Sequence, residues 1–426
     1  MSSTDFLYEK LAAELGDAIA RGALRPGARL PSVRQLAEDR AVSTATVVQA
    51  YGLLEGTGKI EARPKSGFFV RARVDDGEAP RAPRKAAVAT RPAVADGIAR
   101  LMAALREPGV VPLAAAYLDP QTLRVAALNR IASALAREVS TLGARDEAPP
   151  GLLTLRRALA RRSVSWGATL TEDDLVCTIG ATEAITLALR AVTRPGDAVA
   201  VESPTYFGVL LAIESLGLKV VEVPAHPRTG LDVAALADAL RVTPVRAVVT
   251  MPTAANPLGS IMPDEAKAAL YALAVRHDLA LIEDDVYGEL CFDGTRPRPL
   301  KAFDRDGRVL LCGSVSKTLA PGYRVGWIAP GRYQDVVERL KFAQSLACPT
   351  LPCMAVAEML SSGGYDRHLR RLRHVVAGQV ARYREEVLAR FPDGTAMTWA
   401  RPDDEVGLFL AADGLWTVET HQRPAR

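Results

Sequence analysis

Apolar positions in the first seventy residues follow a helical period and then an alternating one. Leu7, Leu11, Leu15, Ala18 and Ile19 share one face of a helix that ends at Arg21-Gly22, where glycine can take the left-handed cap. Pro26-Gly27 makes a turn, and Ser32 caps a short second helix with Val33, Leu36 and Ala37 inward and Arg34 outward. Ser43 caps a third helix running to about residue 55. Residues 59–63 and 67–71 follow as two strands joined at Pro64-Lys65-Ser66. Two short helices on a tight turn, then a hairpin, predict a winged helix-turn-helix over residues 1–73. Residues 74–95 lose the apolar period and carry Pro80, Pro83 and Pro92, which predicts a linker partly extended by its prolines. From 96 to 426, helical patterns alternate with apolar strands near 174–179, 198–202, 219–223, 246–251, 279–283, 308–313 and 324–329. That alternation predicts an α/β fold with a mainly parallel sheet and helices on both faces. Its large domain spans about 130–330 and a small domain starts near 331.

A chain of 426 residues is too long for one ordinary domain. No apolar run approaches the roughly 20 residues that span a bilayer, and the N-terminus lacks a signal-peptide layout. Cys177, Cys291, Cys312, Cys348 and Cys353 are odd in number and never form Cys-x-x-Cys. They read as buried thiols in a reducing compartment, with neither a disulfide set nor a metal site, so a cytoplasmic protein with no membrane partner is expected. The net charge of +4 is unevenly placed. Residues 1–95 hold 15 Lys/Arg against 11 Asp/Glu, and the remainder holds 38 of each. The whole excess therefore sits in the first fifth of the chain, the N-terminal domain with its linker, as expected of a small domain that approaches phosphates.

Ser43, Thr44 and Thr46 open the second helix of the helix-turn-helix, whose first residues reach base edges in the major groove. Their small hydroxyls permit close approach to a phosphate or a thymine methyl. Arg63 and Lys65 suit a phosphate or the minor groove at the wing. The stretches Leu30-Pro31-Ser32-Val33-Arg34-Gln35-Leu36-Ala37, Val42-Ser43-Thr44-Ala45-Thr46-Val47, Ala50-Tyr51 and Lys65-Ser66-Gly67-Phe68-Phe69-Val70 resemble the GntR family DNA-binding domain. The resemblance covers nearly all of residues 5–71 and implies contacts to double-stranded DNA at Arg34, Ser43, Thr44, Thr46, Lys65, Ser66 and Gly67. No arginine lies between Ser43 and Tyr51, so readout is expected to lean on Arg34, the wing and DNA shape.

In residues 312–327 a strand delivers Lys317, flanked by Ser314 and Ser316, with Arg324 seven residues on. Pyridoxal 5'-phosphate (PLP) needs this combination: an amine for its aldehyde, hydroxyls and a guanidinium for its phosphate. Asp284, ending an apolar strand, can pair with the pyridine nitrogen, and Tyr287 and Asn256 can reach the ring 3'-oxygen. Gly180-Ala181-Thr182 opens a helix whose N-terminus suits phosphate, and Tyr206 offers a ring to stack on the cofactor. Singly, these read as a helix start, a core aromatic or a plain turn. In this order they resemble fold-type I PLP enzymes of the aminotransferase kind, over about 149–384. The resemblance implies Lys317 as the Schiff-base lysine and Ala181, Thr182, Tyr206, Asn256, Asp284, Tyr287, Ser314, Ser316 and Arg324 as its cofactor-binding neighbours.

The two resemblances together are similar to MocR-type regulators. They imply a homodimer that binds DNA and responds to PLP or to an amine or amino-acid effector. The alternative is a PLP-dependent aminotransferase, amino acid to 2-oxo acid, with an appended winged helix. Past Pro402 the sequence departs from the family's glycine-rich strand and from the arginine that clamps a carboxylate. A truncated, frame-shifted or divergent terminus, an incomplete small domain and weak or absent transamination are the corresponding expectations.

Overall fold

A computed structural model describes residues 7–56 (apart from 22 and 26), 59–63, 66–70, 88–107, 118–138, 141, 144, 146–291 and 296–390. These residues fall into two compact units, one of residues up to 70 together with 377–390, and one of residues 88–376.

The first unit holds α1 (Leu7–Ala20), α2 (Val33–Asp39), α3 (Thr44–Gly56) and an antiparallel hairpin of β1 (Ile60–Arg63) and β2 (Gly67–Val70). Both expected caps form: the Ser32 hydroxyl accepts the Gln35 N–H at 3.2 Å and the Ser43 hydroxyl accepts the Thr46 N–H at 3.0 Å. Leu11, Leu15, Leu36, Val47, Tyr51, Leu54, Ile60 and Val70 form the core. Tyr51 tilts against Phe68, and its hydroxyl, which would be costly to bury unbonded, donates to the Pro31 carbonyl at 2.7 Å. Leu7, expected on the inner face, is instead exposed, and its neighbour Tyr8 packs partly buried against the core.

The second unit is built on a sheet of eight strands: β3 (Val176–Thr178), β4 (Ala198–Ser203), β5 (Lys219–His226), β6 (Gly230–Leu231), β7 (Ala247–Thr250), β8 (Ala280–Asp284), β9 (Val309–Ser314) and β10 (Gly326–Ala329). Their order is β3-β10-β9-β8-β7-β4-β5-β6. Neighbours from β9 to β5 are parallel, whereas β10 lies antiparallel between β3 and β9, and β6 pairs antiparallel with β5. The sheet lies between helices, so its central parallel strands are buried and mainly apolar, with acids at the carboxyl ends of β4 and β8. The helices are α4 (Ala95–Ala104), α5 (Val125–Glu138), α6 (Leu153–Ser163), α7 (Gly180–Val192), α8 (Phe207–Ser215), α9 (Val233–Val242), α10 (Asp264–Arg276), α11 (Gln334–Ser345), α12 (Thr350–Ser361) and the first part, to residue 376, of α13 (Gly364–Arg390). Helices α7 and α8 pack in one core cluster with strand residues such as Val199 and Ile282, while α9 and α10 pack in another with Val221 and Leu281. Within the stretch expected to be linker, Thr90 forms an antiparallel bridge to Val220 of β5. All five cysteines are reduced and buried. Among the described residues no helix is long and apolar enough to cross a membrane, and no cluster of three or more His, Cys, Asp or Glu could hold a metal ion.

Candidate functional site

The parallel strands place chemistry at their carboxyl ends, where an open α/β sheet presents ligands. Helix α7 starts just after β3, Tyr206 follows β4, Asn256 follows β7, Asp284 closes β8, and Ser314 closes β9 with Lys317 three residues beyond. Arg324 sits on the short return before β10. One cavity of about 210 Å³ is lined by Ala181, Thr182, Tyr206, Asn256, Asp284, Tyr287, Ser314, Ser316, Lys317 and Arg324. The fold thus brings together every residue that the sequence nominated for a cofactor. Leu118, Leu123, Ile185, Met251, Val286 and Pro321 complete the wall. Leu118 and Leu123 come from a stretch with no periodic pattern, so no sequence signal distinguished them.

Lys317 is half-buried, its Nζ 5.6 Å from the centre of the Tyr287 ring. The Ser314 and Ser316 hydroxyls lie 2.7 Å apart, and Ser314 accepts the Ser316 N–H at 3.0 Å. Arg324 adopts a left-handed backbone (φ 53°) and donates to the Ile179 carbonyl at 3.2 Å, beside the start of α7. Glycine is required here. Gly180 has φ 78°, and a Cβ on it would lie 2.4 Å from the Arg324 guanidinium. A Cβ on Gly326 would strike the Gly180 backbone at 2.6 Å. The result is a cradle of helix N–H groups, hydroxyls and one guanidinium, a donor set suited to a phosphate dianion.

Asp284 is buried, and the Val286 N–H donates to it at 3.3 Å. Burial pushes its carboxyl up to about 7, against that hydrogen bond and the Lys317 ammonium, with Asp285 adding to the rise. Behind it Glu202 is also buried, accepting from the Met251 N–H at 3.2 Å and from the Thr250 hydroxyl. Desolvation takes this carboxyl up to about 7 as well, opposed by those two bonds. Glu202 fixes the start of the turn that carries Asn256, a role that a lone acid at a strand end does not advertise. On the other side Tyr365 and His368 of α13 hold Thr318, next to Lys317. The Tyr365 hydroxyl donates to Thr318 Oγ1 at 2.9 Å, and His368 Nε2 lies 2.7 Å from the Thr318 carbonyl.

On the first unit, Arg34, Ser43 and Thr44 are exposed and Thr46 is half-buried. The Ser43 and Thr46 hydroxyls lie 2.7 Å apart, so both also serve the cap of α3. Ser66 and Gly67 are exposed at the hairpin turn, with Gly67 at φ 102°, and Lys65 lies outside the described residues. Arg63 pairs with Glu61 at 2.7 Å, lies over the Phe69 ring and remains exposed. Arg29, not singled out in the sequence, packs its guanidinium beside Gly67.

Residues 7–70 match the family model of bacterial regulatory proteins of the gntR family, and residues 110–400 match that of aminotransferase class I and II. The chain is 38% identical over 413 residues to the uncharacterized HTH-type transcriptional regulator YjiR of Escherichia coli, covering 95% of this chain and 88% of that one. The chain is a MocR-type regulator of the GntR family. It is 40% identical to YdcR of the same organism, across 90% of this chain and 82% of YdcR. The multiple substrate aminotransferase of Thermococcus profundus superposes on this MocR-type chain with a TM-score of 0.65 at 27% identity, covering 74% of this chain and 78% of that one. The class I and II aminotransferases are PLP-dependent. The α/β fold expected from the alternation of helices and strands is present, and the GntR unit is a DNA-binding one.

Proposed function

We propose that this cytoplasmic chain acts as a homodimer on double-stranded operator DNA, holds PLP at Lys317, and reports PLP or an amine or amino-acid effector to its DNA-binding unit. The observation that supports this most is the convergence of ten nominated side chains on one cavity in a chain that also carries a GntR unit. PLP, when bound, supplies an aldehyde that reacts with amines and an electron-withdrawing ring. The residues fit it. Arg324, Ser314, Ser316 and the α7 N-terminus at Ala181 and Thr182 suit its phosphate. Asp284, raised by burial to about 7, would be held as the carboxylate by a cationic ring nitrogen beside it. Asn256 and Tyr287 offer donors to the ring oxygen, and Tyr206 offers an aromatic face. The Lys317 amine is the group with which an effector amine competes.

The test is a titration of the full chain with PLP, followed by amines, in wild type and Lys317→Ala. A saturable visible absorption band in wild type, absent from the variant and altered by amines, is expected. Identical spectra for the two proteins would defeat the assignment. The complete cofactor-facing set also favours a second reading, a PLP-dependent aminotransferase with an appended winged helix. Release of one equivalent of 2-oxo acid from an amino acid in a single turnover would establish that reading.

A further inference from the structure

The inward face of α3 carries Val47, Ala50, Tyr51 and Leu54, all buried. With about 100° of turn per residue, Ala45, Gln49 and Gly52 point away from that core and Val48 flanks them. All four are exposed, Val48 by 56%. A single exposed valine is unremarkable on any surface. Here, however, the whole stretch from Ser43 to Gly52 is uncharged, within the first 95 residues that hold the chain's entire basic excess. Gly52 adds to the accessibility of this face, because nothing lies within 4 Å of where its Cβ would be. Gln49 is therefore the one long hydrogen-bonding side chain on a small, apolar, solvent-facing strip.

The chemistry of that strip selects among base pairs. From a helix in the major groove, arginine and lysine read guanine, whereas a side-chain amide matches adenine with one donor and one acceptor side by side. Valine and alanine make apolar contact with a thymine methyl. We propose that Gln49 is the specificity-determining side chain of α3 and selects an A·T pair, with Val48 and Ala45 against thymine methyls of adjoining pairs. This goes beyond readout by Arg34, the wing and DNA shape, and it rests on the reading of the chain as an operator-binding regulator.

The test selects binding sites for the full-length chain from random-sequence duplex DNA, using wild type, Gln49→Ala and Gln49→Arg. Gln49 is exposed, so the substitutions leave the core untouched. Wild type is expected to enrich a motif containing A·T pairs. Replacing the pair read by Gln49 with G·C should weaken wild-type binding roughly 10- to 100-fold. Gln49→Ala should bind both versions within a few-fold, and Gln49→Arg should reverse the preference. A motif that stays the same in both variants overturns this proposal and leaves the regulator reading standing. No enriched motif for wild type overturns both, and points to α3 as a protein-contact face.

Discussion

Asp284 shows how a single side chain carries both chemistry and stability. Its carboxyl is raised to about 7 in the folded chain, while the unfolded chain ionises it near its ordinary value. Between about pH 4 and pH 7 the unfolded state therefore binds fewer protons, and this group removes stability from the apo-protein as pH rises through that window. A cation beside the carboxylate reverses the penalty, so the rise in Tm on adding PLP should grow from about pH 5 to about pH 7.5. Asp284→Asn should abolish most of that growth, and a PLP-induced shift equally pH-dependent in the variant would contradict the pairing. Gly180 makes a steric prediction at the same scale. Gly180→Ala places a methyl 2.4 Å from the Arg324 guanidinium on a left-handed backbone. PLP affinity in a spectral titration should fall at least tenfold, with a loss of about 1–2 kcal/mol in unfolding experiments. Lys317, Asp284 and Arg324 were visible in the sequence because their neighbours in the chain share their chemistry. Glu202, Tyr365 and His368 were not, because each acts on a residue far away in sequence, and burial alone gives it that role.

At the level of elements, the strands announced themselves as short apolar runs, since a parallel strand covered on both faces has no polar side to show. Their order did not. Nothing in the pattern of residues 324–329 says that β10 inserts antiparallel between β3 and β9, a placement that brings Gly326 against Gly180. Nor does Glu183, near the start of α7, reveal that it accepts from Lys341 of α11 at 2.8 Å and from Ser345 at 2.6 Å. Both members of this ion pair are buried, and the same carboxylate accepts the Ile179 N–H at 2.6 Å, fixing the turn that opens the phosphate cradle. Removing one partner leaves a buried charge, so Lys341→Met should cost about 3–5 kcal/mol in denaturant unfolding. The double change Glu183→Gln with Lys341→Met should recover most of that loss, because no charge then remains buried. Simply additive losses would show that the two side chains do not act as a pair.

For the whole molecule, the stretches at 30–37, 42–47, 50–51 and 65–70 and the motif order of the second domain were enough to anticipate a GntR unit joined to an aminotransferase-like body. The carboxylate-clamp expectation falls on residues after 390, outside the described residues. An effector regulates such a chain only if it binds two states of the protein with different affinity, and the coupling is then reciprocal. In the proposed reading that difference originates at Lys317, because an effector amine would compete with its amine. The decisive measurement is fluorescence anisotropy of the full-length chain on its selected DNA site, with and without PLP and amines, at several salt concentrations, for wild type and Lys317→Ala. Wild-type affinity should fall with salt, as phosphate contacts require, and should shift by roughly 5- to 100-fold on loading the cofactor site. Lys317→Ala should bind the same DNA and show no such shift. A wild type indifferent to PLP and amines, or a variant that responds equally, would contradict sensing through Lys317.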